Sequence, residues 1–437
     1  MKLFIQFSLL IISGLVSAGP LELKNGDRVA FVGGTFVERE TEHSLIETYL
    51  TLANPDKDIK FRNLGWSADT VKGESRGYFK IHEGYGLLLQ KVEETKPTVI
   101  VLTYGANASW NGANGLTSFI TDYTKLITTL KEKTGARIIL MSTPRQENLG
   151  APYPNPDKHN EDQSLYFTAI KKIAGAQNLS FIDLFNEFKD VKGFTSNSIH
   201  LNKKGYHAVA KYLSELRKNY SATAIDIDAA NNTSQASSGK LSQLSASSTN
   251  VSFTFSPTGL SSFDSAKILK LSKLKQGNYE LKSNGRILLT ATAAEWAKGI
   301  KSSDLLVQER LLQTEILEKN EQFFHSWRPQ NTTYLFGFRK HEQGQNGKEI
   351  KEFGSYIEQH EAKIKELKNV KALRWEITRK KEEAPKAAAT GKKLILSAEE
   401  ELKTFNLPAD LEVSLFASEP MIINPTNMNW DSKGRLW

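Results

Sequence analysis

The sequence predicts an α/β domain built on a parallel sheet over its first half, followed by smaller β and helical parts. Two observations carry this. From about Gly26 to Tyr220, short apolar runs alternate with amphipathic stretches of helical length, the sign of a parallel sheet with helical crossovers. In addition, residues able to do chemistry cluster just after the apolar runs, where such sheets place their ligands.

The elements read in order as follows. "RVAFVGG" is the first strand, "EHSLIETYLTLA" a helix and "IKFRNLG" the second strand. After another helix, "PTVIVLTYG" is the third strand, and "LTSFITDYTKLITTLKEKTG" carries the helical period. "ARIILMSTP" and "LSFIDLF" are two more strands with a helix between them, and a last helix starts at about Lys203. The domain is bounded as 24–220. Residues 221–250, rich in Ser, Ala and Asn, read as a linker or surface insertion. Alternating letters such as "VSFTFS" predict a small β unit over 251–300. Residues 303–381 read as helical, broken by the polar loop "WRPQNTTYLFGFRKHEQGQNG", and 382–396 as a second linker. The stretch 397–437 opens with a capping box, Ser397 and Glu400, and then turns β-like.

Composition narrows the function classes. A chain of 437 residues with 39% hydrophobic and 24% charged residues has room for two or three packed domains. The net charge of +8 is scattered and interleaved with Glu, which argues for solvated helix faces and against a nucleic-acid partner. There is no cysteine, which excludes disulfides, thiolate catalysis and haem attachment. The opening "MKLFIQFSLLIISGLVSAGP" has a cation, an apolar run and small residues near Ala18, the pattern of a cleaved leader over 1–18. Its apolar run is too short to span a bilayer, so export to a periplasmic or secreted location without stable membrane insertion is expected. No H-E-x-x-H, Walker-type or G-x-G-x-x-G motif is present, so neither a metal nor another cofactor is expected.

Four stretches at strand ends stand out: "VGGT" with Thr35, "NLGWSADT" with Gly65, "YGANAS" with Asn107, and "NSIH" with Asn197 and His200. In this order they resemble the SGNH (GDSL-type) hydrolase family. The resemblance implies a flavodoxin-like three-layer α/β/α sandwich and hydrolysis of a small-molecule or glycan ester. It places Thr35 where the family has its nucleophilic Ser, and His200 as the general base. Gly65 and Asn107 fall in the oxyanion hole, and Asn197 replaces the acid that orients the histidine. A methyl group on the nucleophile stiffens χ1, and an amide in place of the acid does not stabilise imidazolium. Glu38, Asp69 and Glu342 are the acids that stand as substitutes.

Each residue also has a structural reading, and both stay open here. The Thr35 hydroxyl would satisfy amides at a strand-to-helix turn, Asn107 would cap a turn, and His200 would be a capping or core histidine. Asp183 in "FIDLF" reads as structural. The alternative function is therefore a catalytically degenerate domain that binds a carbohydrate or acyl ligand, or a structural module of a larger oxidoreductase-like protein. In the polar loop, Arg339, His341 and Glu342 are possible substrate contacts, set against the plainer reading of a helix–helix connection. Finally, "LPADLEVSLFASEPMIINPTNMNWDSKGRLW" resembles the opening of the dehydrogenase-type β-propeller of planctomycete and verrucomicrobial membrane-bound proteins, cut short here.

Overall fold

The computed structural model describes residues 21–77, 80–215, 223–260, 267–302, 305, 307–342, 344–380, 396–407, 411–418, 421, 422, 429, 433 and 435. The expected leader, 1–18, and nearly all of the linker 382–396 lie outside the described residues. The chain divides into two compact units, Met1–Lys380 and Lys381–Trp437.

The first unit starts from β1 (Arg28–Gly33), whose apolar letters are buried on both faces as a central parallel strand requires. It is followed by α1 (Thr35–Glu40), α2 (Leu45–Ala53), β2 (Lys60–Asn63), α3 (Gly84–Glu94) and β3 (Val99–Thr103). Then come α4 (Leu116–Thr134), β4 (Arg137–Met141), α5 (Asp157–Ala176), β5 (Ser180–Ile182), α6 (Leu184–Glu187) and α7 (Lys203–Glu215). The strands pair in parallel in the order β2-β1-β3-β4-β5, with Val29 opposite Val99 and Phe31 opposite Asn63. This is a flavodoxin-like order, in which the chain reverses direction across the sheet between β1 and β3 and leaves a crevice there. Alternate strand residues face two cores. Ala30, Ile100, Leu102, Ile138 and Leu140 meet α3, α4 and α5, whereas Val29, Phe31, Val99, Val101 and Ile139 meet α2 and α7.

The Ser- and Asn-rich stretch is not a linker. It holds β6 (Ala224–Asp228), β7 (Thr233–Ala236) and β8 (Gly239–Ala246). The reason is burial by alternation: Ile225 and Ile227 point inward, while the small polar letters lie on strand faces open to water. These strands join β9 (Asn250–Pro257), β10 (Lys267–Ser272), β11 (Asn278–Ser283), β12 (Arg286–Thr292), β13 (Ile300–Ser302) and β14 (Leu373–Arg379) in two sheets. Phe253, Phe255, Tyr279, Trp296 and Trp375 fill the core that the two sheets share. A short helix, α8 (Ala293–Lys298), starts from a full capping box at Thr292 and Glu295.

The expected all-helical segment is a helical insertion inside this β unit. It comprises α9 (Val307–Trp327), α10 (Thr332–Leu335) and α11 (Phe353–Leu367), and its last residues, read as helical, form β14 between β11 and β9. "LRWEITR" alternates at period two, a signal hidden behind the charged helix before it. The insertion packs on the β2 side of the α/β domain. Leu312 and Ile316 meet Leu52, while Phe323 and Trp327 join the α3–α5 core. Lys319, fully buried, pairs with Glu47, whose other oxygen accepts from Asn320 at 2.8 Å. Arg62 and Glu361 form a second cross-link at 2.6 Å. No described helix is long and apolar enough to cross a membrane.

In the second unit, Ser397 caps α12 (Ala398–Leu402) and receives the Glu400 carboxylate in return, as its capping box predicts. The β-like continuation expected after it is absent among the described residues. A strand needs a neighbour for its backbone hydrogen bonds, and the described residues offer none there.

Candidate active site

At the carboxyl ends of β1, β3 and β4 the crevice opens into a solvent-open cleft with a volume of about 160 Å³. Thr35, Asn107 and His200 all line it, brought together from three separate segments of the chain.

Thr35 is the first residue of α1, reached from β1 through Gly33 and Gly34. Any side chain at Gly33 would put its Cβ 2.5 Å from the Thr103 carbonyl oxygen, so the tight exit from β1 requires glycine. The Thr35 hydroxyl accepts the N–H of Ala68 at 3.1 Å, and Asn107 donates from its amide to the Ala68 carbonyl at 2.8 Å. Ala68 has φ 59°, a left-handed conformation unusual for a residue with a Cβ, and it too lines the cleft.

Gly65 is elsewhere. Its N–H is taken by Asn63 Oδ1 at 2.9 Å and it is not part of the cleft wall. An added Cβ would lie 2.2 Å from the Glu38 backbone nitrogen, so its lack of a side chain serves close packing against α1. The glycine expected in the oxyanion hole is therefore a spacer, and the amide beside Thr35 belongs to Ala68. Sequence reasoning missed it because glycine was taken as the marker of a backbone donor. The usable signal was the polar run "SADT", separated from the end of β2 by three residues.

His200 sits in a loop immediately before α7. Asn197 Oδ1 accepts the backbone N–H groups of His200 at 2.8 Å and Ile199 at 3.3 Å, which fixes the orientation of the amide. Its Nδ2 then faces His200 Nδ1 at 3.1 Å and donates to it. The neutral imidazole consequently carries its proton on Nε2. Burial, with the nearby Arg39 charge assisting, lowers the His200 pKa below its ordinary value. No hydrogen bond joins Thr35 to His200 among the described residues.

The loop itself is held by Glu147, which follows β4. Its carboxylate accepts from the N–H groups of Gly193, Phe194 (3.1 Å) and Thr195 (3.0 Å) and from the Thr195 hydroxyl (2.8 Å). Its backbone also pairs with Ser198, at 2.9 Å through the N–H and 2.6 Å through the carbonyl. These donors outweigh burial and hold the Glu147 pKa below the ordinary carboxylate value. A depressed carboxylate stabilises the fold above its unfolded pKa, and that contribution is lost as pH falls through the folded one. Glu147→Gln should therefore lower thermal stability at neutral pH by an amount that shrinks on acidification below about pH 4. An equal loss at all pH values, measured by thermal melts, would show that the charge is not what organises the loop.

Of the acids that stood as substitutes for Asn197, Asp69 borders the cleft but is buried against Arg76 at 2.7 Å and Tyr104 at 3.0 Å. Glu38 accepts from Ser67 N–H and from Arg328 at 2.7 Å. Arg328 in turn stacks 3.9 Å from the Trp66 ring, so the end of α9 braces the turn carrying Ala68. Arg339 and Glu342 form an exposed pair at 2.6 Å, and neither they nor His341 line the cleft. The long polar loop thus contributes Arg328 as a brace and leaves the predicted substrate contacts at the surface, where their charges satisfy each other. Asp183 caps α6, accepting from Asn186 N at 3.1 Å. Outside the cleft, Glu315, Glu318 and His360 bring ligand-type atoms within 4.8 Å, with Glu315 already paired to His360 at 2.7 Å and Lys363 at 3.3 Å.

The cleft also gathers residues that the sequence motifs did not mark: Arg39, Trp110, Thr143, Arg145 and Gln163. Arg39 stands one helical turn after Thr35, a spacing that puts both on one face of α1. The others come from loops and helices whose proximity depends on the whole sheet.

Residues 31–208 match the model of the GDSL-like lipase/acylhydrolase family. Residues 397–437 match a domain of unknown function, DUF7133. Among solved structures, a gut microbial diltiazem-metabolizing enzyme, BT4096, superposes with a TM-score of 0.60 at 16% identity. It covers 83% of this chain and 100% of its own, so the shared fold extends beyond the α/β domain. A putative GDSL-like lipase from Parabacteroides merdae (TM-score 0.37, 16% identity) covers 45% of this chain and 97% of its own. The carbohydrate acetylesterase Est24 from Sinorhizobium meliloti (TM-score 0.33, 14% identity) covers 44% and 99%. No curated protein matches the chain.

Proposed function

We propose that the protein is an exported hydrolase of carbohydrate or lipid acyl esters, with Thr35 as nucleophile and His200 as its proton acceptor. One observation carries the reading: a hydroxyl, an imidazole, a strained backbone amide and an Asn side chain share one cleft at the sheet's switch point. Thr35 Oγ1 attacks the acyl carbon and its proton passes to His200 Nε2. The Ala68 N–H, released from Thr35 Oγ1 as that oxygen bonds to the acyl carbon, and the second N–H of Asn107 receive the carbonyl oxygen as it gains charge. His200 then returns the proton to the departing alcohol, and water repeats the sequence to free the acid.

The Asn197 contact slows the first step. His200 accepts a proton at Nε2 only in the tautomer that carries hydrogen on Nδ1, where it meets the donor face of Asn197. Turning the amide over would leave the Ile199 and His200 N–H groups without their acceptor. Turnover is therefore low. The same contact favours the second reading, a cleft that binds an acyl or carbohydrate ligand without cleaving it.

The two readings separate on 4-nitrophenyl acetate and on acetylated sugars. Thr35→Ala and His200→Ala should each abolish hydrolysis above the solvent rate while leaving the melting temperature nearly unchanged. Equal rates for wild type and both variants would remove the hydrolase reading and leave the binding one. Export rests on the N-terminal sequence pattern alone. The resemblance of 397–437 to a propeller sequence supports reading that segment as part of a separate domain.

A further inference from the structure

Beyond the Thr35–His200 machinery, the cleft wall has an unbalanced charge. Its lining contains Arg39, Arg145 and one acid, Asp69, which is taken by Arg76 at 2.7 Å. Arg145 follows β4. Its Nε donates to the Phe185 carbonyl at 3.3 Å, and its guanidinium lies 4.3 Å from the Phe185 ring centroid. Stacking and hydrogen bond together fix the plane of the group, yet no described acid pairs with it. Arg39 has a buried Nε without a hydrogen-bond partner, and its only ion pair among the described residues is the exposed contact to Glu42 at 3.2 Å. Such a surface pair is weak enough to be exchanged for a ligand. The same wall holds buried acceptor atoms without partners, Thr103 Oγ1, Thr143 Oγ1 and Gln163 Oε1, so it is built for a polar ligand.

We propose that the ester taken by this cleft carries a carboxylate, received by Arg145 with Arg39 alongside. The inference rests on the hydrolase reading for its word "ester" but on the two guanidinium groups for its charge. A planar carboxylate suits the fixed fork of Arg145, which has donors to spare after its bond to Phe185.

The test compares phenyl acetate with 4-acetoxybenzoate, and 4-nitrophenyl acetate with 4-nitrophenyl hemisuccinate, so that the charge lies on either side of the scissile bond. The wild type should favour at least one anionic partner by about 10- to 100-fold in kcat/KM, the value of a hydrogen bond to a charged group. Arg145→Met should remove that ratio, whatever its absolute rates, and Arg145→Lys should keep part of it. Calorimetry with benzoate and succinate gives a readout independent of turnover, and Arg145-dependent binding supports the inference even if no ester is cleaved. A wild-type ratio near one in both pairs overturns the carboxylate and leaves the hydrolase reading intact. Absence of both turnover and carboxylate binding overturns both.

Discussion

Asn197→Asp should raise esterase turnover by about 10²-fold or more, because replacing the orienting Asp of a serine-protease triad by Asn costs about 10⁴ in rate. The geometry makes the gain specific. A carboxylate at 197 keeps one oxygen for the His200 and Ile199 N–H groups, which the amide oxygen now serves. Its second oxygen replaces the amide NH2 facing Nδ1 at 3.1 Å, so a donor becomes an acceptor. His200 then holds hydrogen on Nδ1 and presents a lone pair at Nε2. The imidazolium formed during attack gains a counter-charge that wild type lacks. Two readouts follow. Nitrogen NMR should find the Nε2–H tautomer in wild type and the Nδ1–H tautomer in the variant. The acid limb of kcat/KM should move to higher pH, because wild-type His200 is held low by burial and Arg39 whereas an adjacent carboxylate raises it. Adding Thr35→Ser should increase the rate further by removing the methyl from the attack path. A variant that shows the new tautomer but no faster turnover would sink the assignment of His200 as base.

Glu40→Gln should reverse the alkaline weakness of the fold. Glu40 ends α1 and is buried beneath the site helix, where its Oε1 accepts from Ile46 N at 2.5 Å. Burial raises its pKa from 4.5 to about 8, with the neighbouring Glu47 adding to the rise and the Ile46 amide and Lys319 opposing it. Tyr206, packed nearby on α7, is itself raised by burial and remains neutral. The sign is that of a raised group. Its contribution is complete below the unfolded pKa, falls as the unfolded chain ionises, and is gone once pH passes the folded value. Between pH 4.5 and pH 8 the wild type should lose on the order of 4 kcal/mol from this one carboxyl. A Gln keeps an oxygen for Ile46 and does not ionise, so the variant's stability should stay nearly flat over that window. Its extra amide hydrogens need acceptors, so it should be weaker than wild type by about 1–2 kcal/mol at pH 5. Denaturant melts at pH 5 and pH 8 should therefore cross. Parallel curves would mean that Glu40 is already ionised in the fold.

The α/β domain was legible because its signal is local. A parallel strand must be apolar on both faces and a covering helix on one, so "RVAFVG" and "LTSFITDYTKLITTLKEKT" declare themselves without knowledge of their neighbours. The β sandwich was only half legible. Edge strands such as β7 and β8 bury little, and their Ser- and Asn-rich letters are equally suited to a linker. β14 was lost because the chain leaves the sandwich for the whole helical insertion before returning to pair with β9 and β11.

By itself the sequence determined the parallel α/β domain, the order of its four motif stretches, and the chemistry available in the hydroxyl of Thr35 and the imidazole of His200. Residue identity and short-range period fix those things. The tertiary structure alone decided that Ala68 takes the place expected of Gly65, that Arg39 and Arg145 charge the cleft, and that Arg339, His341 and Glu342 stay outside it. It also decided which way the Asn197 amide faces, and so where the His200 proton rests. These depend on which backbone groups from distant loops arrive within hydrogen-bond distance, and nothing in the local letters encodes that until the sheet has brought the strand ends together.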